Sequence, residues 1–117
     1  MRGSALRQAS AVILIAQGTL EAALEVGSEA TSCYRIVDTA GDRLALLSMD
    51  ESCDRRTGLM LLDWRDRLSS HVLAAQALAD IEVHADVEIH MLQRGLAEVA
   101  SALNDLGADL PSVAARS

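Results

Sequence analysis

Hydrophobic residues recur every three or four positions across the C-terminal half of the chain. Leu61, Trp64, Leu68, His71, Ala75, Leu78, Glu82, Ala85, Ile89, Leu92, Leu96, Val99, Leu103 and Leu106 form one seam, broken only by His71 and Glu82. Side chains at this spacing lie along one side of an α-helix. Sustained over more than six heptads, the pattern predicts a long helix packed against other helices.

Between Gly58 and Gly107 there is no Pro, and Gly95 alone weakens helix propensity. One helix over about 58–106 follows, and left straight it would extend roughly 70 Å. A compact domain of this length has a radius of gyration of about 13–14 Å. The helix must therefore either fold back on itself or pack against another subunit, and the lack of turn residues favours the intact helix in an oligomer. Leu73, Ala77, Val87 and Met91 make its middle apolar on the opposite side too, as in a helix surrounded by others. From Arg94 onward that side turns polar, with Glu98, Ser101 and Asp105.

The N-terminal half carries the same spacing in Leu6, Ala9, Ile13, Ala16, Leu20 and Ala23. It predicts a first helix from about Ser4, a candidate N-cap, to about Gly27, a candidate stop. Val12, Leu14 and Ile15 widen the stripe, so this helix is expected to be covered on more than one side.

Residues 28–58 are ambiguous. The runs 33–37 and 43–47 flank the turn-like 38–42, which reads as a β-hairpin with Gly41 in the turn or as two helical pieces. Asp54 or Thr57 is positioned to cap the long helix. Residues 81–90 alternate strictly between apolar and polar, a half-buried strand pattern that competes with the seam.

The expected fold class is mainly α: a helical bundle with a long C-terminal helix, completed by oligomerisation, with a homodimer favoured. The alternative is α+β, built from the 33–47 hairpin and a strand at 81–90. Residues 1–107 are expected to form a single helical domain and 108–117 a flexible tail.

Composition narrows the function classes. The chain has 117 residues, half of them hydrophobic, yet no Phe, one Trp and one Tyr, so the core must be aliphatic. Its net charge is −7, and every basic residue is Arg, with no basic run. Nucleic-acid binding needs a cationic footprint, and docking on anionic lipid needs one too. Neither partner is expected. The apolar run 11–16 is far too short to span a bilayer, and a cytoplasmic location is expected. Cys33 and Cys53 form no CxxC pair; they read as free thiols in a reducing compartment or as a single disulfide.

Candidate chemistry is sparse. His84 and Glu88 stand four apart on one helix face, and Asp86 and His90 on another. A helical His and carboxylate at that spacing can reach one metal ion, but two ligands do not complete a site. The plainer reading is solvated or ion-paired side chains. His71 and Glu82 interrupt the seam, where polar groups set register or partner choice. A phosphate-binding loop of the Gly-x-x-x-x-Gly-Lys type is impossible without Lys.

The expected function is accordingly a non-enzymatic protein–protein interaction module: an adaptor, an assembly- or secretion-type chaperone, or a regulator, with no cofactor. Its interface would be Leu61, Trp64, Leu68, Leu78, Ile89, Leu92, Leu96, Val99 and Leu103, tuned by His71 and Glu82. The alternative is a small helical metal-binding protein or enzyme using His84 and Glu88 with Asp86 or His90.

Overall fold

Four helices account for the described residues of the computed structural model, 2–51, 53–81 and 85–106. They are α1 (Arg2–Glu25), α2 (Ala30–Ser48), α3 (Arg55–Asp80) and α4 (Ala85–Leu106), and the described residues contain no strand. Each helix packs on its neighbours in sequence, and α1 closes the ring against α4, while the diagonal pairs touch far less. Short connections of this kind give an up-down-up-down bundle. It measures 45 × 29 × 19 Å with a radius of gyration of 14.8 Å.

The core is aliphatic, as the composition requires. Ala9, Ile13, Ala16 and Leu20 of α1 meet Cys33, Val37, Ala40 and Leu44 of α2, each set spaced four, three, four. From the other side come Leu61, Trp64, Leu68, Val72 and Ala75 of α3 and Leu92, Leu96, Val99 and Leu103 of α4.

The mainly α bundle is therefore observed, but the uninterrupted helix over 58–106 is not. It is two helices, α3 and α4, with Ile81 closing α3 at φ −98°, ψ 17° through a 3.3 Å bond from its N–H to the Leu78 carbonyl. The seam survives the break because both of its halves face the same core. Folding back lets one half cover the other, with α1 and α2 supplying the rest, so the chain itself shields much of the apolar surface that the intact helix would have offered a partner.

Of the two readings of 33–47 the helical one is observed, as a single helix and not two pieces, and the alternative hairpin is not formed: the segment lies wholly inside α2. Beneath its turn-like letters runs the buried stripe Cys33, Val37, Ala40, Leu44, and that periodicity outweighs the propensity of Thr39 and Gly41. Of the alternative strand at 81–90, residues 85–90 belong to α4; Glu82 and His84 lie outside the described residues, as does the expected tail over 108–117.

Helix ends follow local chemistry. Asp54 caps α3, its side chain accepting a 2.8 Å bond from the Thr57 N–H. Gly27 stops α1 at φ +69°. Its N–H bonds the Leu24 carbonyl at 3.1 Å and that of Ser28 the Ala23 carbonyl at 2.9 Å, a Schellman closure. Ser4 is not the N-cap, since α1 starts at Arg2; its Oγ instead accepts from Gln8 Nε2 at 3.3 Å.

On α2, Asp38 and Asp42 stand one turn apart with like charge. Burial, and then the Asp42 charge, push the Asp38 carboxyl above its ordinary range. The native state thus holds that proton more tightly than the unfolded chain. Between the ordinary and the raised value, stability falls as pH rises, the reverse of a salt-bridged carboxylate. Asp42→Arg replaces repulsion by an acid-before-base i,i+4 pair, expected to add about 0.5 kcal/mol at neutral pH. Urea midpoints at pH 4 and pH 7 check it: the gain should be larger at pH 7.

Candidate functional site

The residues expected to form an interface are mostly core residues. Leu61, Trp64, Leu68, Leu92, Leu96, Val99 and Leu103 are buried by the chain itself, and Leu78 and Ile89 are half-buried. A partner cannot reach this seam without opening the bundle, so the surface available for docking lies elsewhere.

His71 also acts within the chain. Its Nε2 lies 2.8 Å from Glu98 Oε2 on α4, and its Nδ1 lies 2.8 Å from the carbonyl of Arg67, one turn back. Both ring nitrogens face oxygen acceptors, so the doubly protonated ring donates at each, whereas a neutral ring donates at only one. Gly95 makes room for it: a Cβ there would stand 2.9 Å from His71 Cγ. The His71–Gly95–Glu98 contact fixes how α3 and α4 sit against each other. Glu82, its proposed companion in specificity, lies outside the described residues.

The metal candidates do not assemble. His90 is exposed on α4 and Glu88 is only 8 % exposed; His84 and the side chain of Asp86 are not among the described residues. No group of three potential ligands comes together among those that are. Glu88 is unusual on its own account. Its Oε1 is cut off from solvent and meets no donor among the described residues. Burial first, and then this carboxylate, raise the Cys33 thiol above its ordinary range, so Cys33 remains a protonated core residue; both cysteines are free. Glu88→Leu is expected to stabilise the fold by about 1–3 kcal/mol by removing a buried carboxyl oxygen that meets no donor among the described residues. A rise in the urea midpoint checks this; a fall would mean the carboxylate is satisfied in solution.

The surface that stands out is on α1. Ser4, Arg7, Ala11, Leu14, Ile15, Gly18, Ala22 and Glu25 are all exposed and repeat at the spacing of the buried seam. From Ala11 to Ala22 this line carries no charge, with the exposed Glu21 flanking it on the Leu14 side, and Leu14 and Ile15 are 62 % and 66 % exposed. Thr19 lies beside it with its hydroxyl already donating to the Ile15 carbonyl at 2.7 Å.

Next to this face, α1 and α2 enclose a groove of about 570 Å³. Val12, Ile15, Ala16 and Ile36 contribute its apolar surface, Arg35 and Arg43 stand along it, and no carboxylate lines it. No protein-family model, curated protein or solved structure matches this chain. Its surface must therefore be read from its own residues. Among the described residues no helix is long and apolar enough to cross a membrane.

Sequence reasoning pointed to this face only in part. Leu14 and Ile15 were visible as an excess of apolar residues on α1, but the seam of the C-terminal half drew the expected interface. Glu98 carried no sequence signal for its role, because it gains that role from His71 on another helix.

Proposed function

We propose that the chain is a non-enzymatic protein–protein interaction module, of the adaptor, assembly-chaperone or regulator kind, that acts as a homo-oligomeric helical bundle. It docks through the outer face of α1 and the groove beside it. The observation that carries this reading is the uncharged line from Ala11 to Ala22, which leaves Leu14 and Ile15 in water. Single exposed hydrophobics are ordinary, but a contiguous row on one helix face marks an interaction surface. The groove has the size and apolar character of a binding cleft. Its two Arg side chains would favour carboxylates at the rim of whatever enters.

A photo-crosslinking amino acid tests this in cells producing the protein. Placed at Ile15 it should yield protein adducts, and placed at the exposed Asp63 of α3 it should not. No adduct at Ile15, or the same adducts from both positions, removes the reading.

A further inference from the structure

We infer that the occupant of the outer α1 face is a second copy of the chain, with the two α1 helices crossing in antiparallel register about their midpoints. This rests on the docking role proposed above. Three observations on α1 meet at the same centre, between Ala16 and Gln17.

The first is the apolar line itself: Ala11 and Ala22 are equidistant from that point, as are Ile15 and Gly18, while Leu14 is matched by Thr19 beside the line. An antiparallel copy brings Ala11 opposite Ala22 of the second copy and Ile15 opposite Gly18 of the second copy. A two-fold interface needs this self-complementarity, because the same patch serves both subunits.

The second is Gly18. It lies exposed in the middle of a helix, where glycine costs about 1 kcal/mol relative to alanine. Nothing in its own chain requires the missing side chain: a Cβ built there would meet no atom within 4 Å. Opposite a large aliphatic side chain of a second copy, the gap becomes a hole that Ile15 or Leu14 can enter, as knobs do in paired helices.

The third is charge. Arg7 stands at one end of the exposed line and Glu25 at the other, both exposed and neither ion-paired with any described residue. Antiparallel register places each Arg7 near Glu25 of the second copy, twice over by symmetry. Parallel register would set like against like, so the charges select the orientation. In a chain of net charge −7, association must also bring opposite charges together locally to offset long-range repulsion.

The face is one helix wide and roughly 30 Å long, so a pair of them buries on the order of 900 Å² in total. That is below the size of a standard stable interface. The dimer is therefore weak and reversible, filling with concentration.

Sedimentation equilibrium on the full chain, from micromolar to millimolar, tests the inference. A monomer–dimer equilibrium is expected, abolished by the double substitution Leu14→Glu, Ile15→Glu with the helical circular dichroism unchanged, since both sites are exposed. Arg7→Glu and Glu25→Arg should each weaken it roughly tenfold, and the two together in one chain should restore it. A monomer at every concentration overturns the proposal, and so does a dimer indifferent to Arg7→Glu. Failure of the double reversal to restore it also overturns the antiparallel pairing. If the Ile15 crosslinks in cells join only a different protein, the docking role stands and self-association falls.

Discussion

Leu92→Asp should unfold the chain, with loss of the helical circular dichroism signal and no folded species of reduced mass. Leu92 is fully buried on α4, in a core built from all four helices. Removing its side chain alone costs about 2–5 kcal/mol. A carboxylate in its place adds the penalty of a buried charge with no partner, several kcal/mol more. Against a total stability of about 5–15 kcal/mol for a domain, the sum leaves little or no native state. The milder Leu92→Ala should remain folded with a lower urea midpoint. Were the seam an interface between subunits, Leu92→Asp would instead give a well-folded protein of smaller mass in size-exclusion chromatography. That result would return the seam to an intermolecular role. Leu14→Glu, on the outside of α1, should leave folding intact.

Gly95→Ala should cost about 1–3 kcal/mol, although alanine is the better helix former. The new methyl would lie 2.9 Å from His71 Cγ and 3.0 Å from its Cβ, closer than such atoms approach. Because the contact includes the Cβ, turning the ring does not relieve it. The helices must separate or His71 must leave, and with it goes the 2.8 Å bridge to Glu98. The sign reverses once the whole side chain, Cβ included, is gone. In a His71→Gly background, Gly95→Ala should add up to about 1 kcal/mol through helix propensity. A double-mutant cycle on urea midpoints measures the coupling. Equal effects of Gly95→Ala in both backgrounds would show that the ring does not rest on this glycine.

These two residues also show what the sequence made legible. Leu92 was readable as a covered position, and taken as an interface, because three-four spacing depends only on positions along one helix; the same reasoning located the buried stripe of α1. The destination of the seam was not readable. Spacing says that a face is covered, not whether the cover is the same chain, and no Gly or Pro marks the reversal after Ile81. Packing against α1 and α2 decides it. Within 33–47 the local letters allowed a turn as readily as a helix, and the tertiary stripe Cys33, Val37, Ala40, Leu44 decides for the helix. Gly95 looked like a weak point in a helix, whereas its reason is a ring on α3. On α1 the excess of apolar residues was legible, but the vacancy beside Gly18 was not, since only coordinates show that its own chain leaves it empty.

Helices consecutive in sequence are also adjacent in space, so much of the core forms between near neighbours along the chain. Such topologies lose little loop entropy before native contacts form, and they fold in microseconds to milliseconds. The exception is the docking of α1 onto α4, where Leu20 and Leu96 line a common cleft from opposite ends of the sequence. That step closes the longest loop of the chain, so it is expected to come late, with release of α1 expected early in unfolding. The helix expected to leave first is also the one whose outer face is proposed to bind a second copy. Self-association through α1 would therefore act as a latch, making the lifetime of the folded state lengthen with protein concentration.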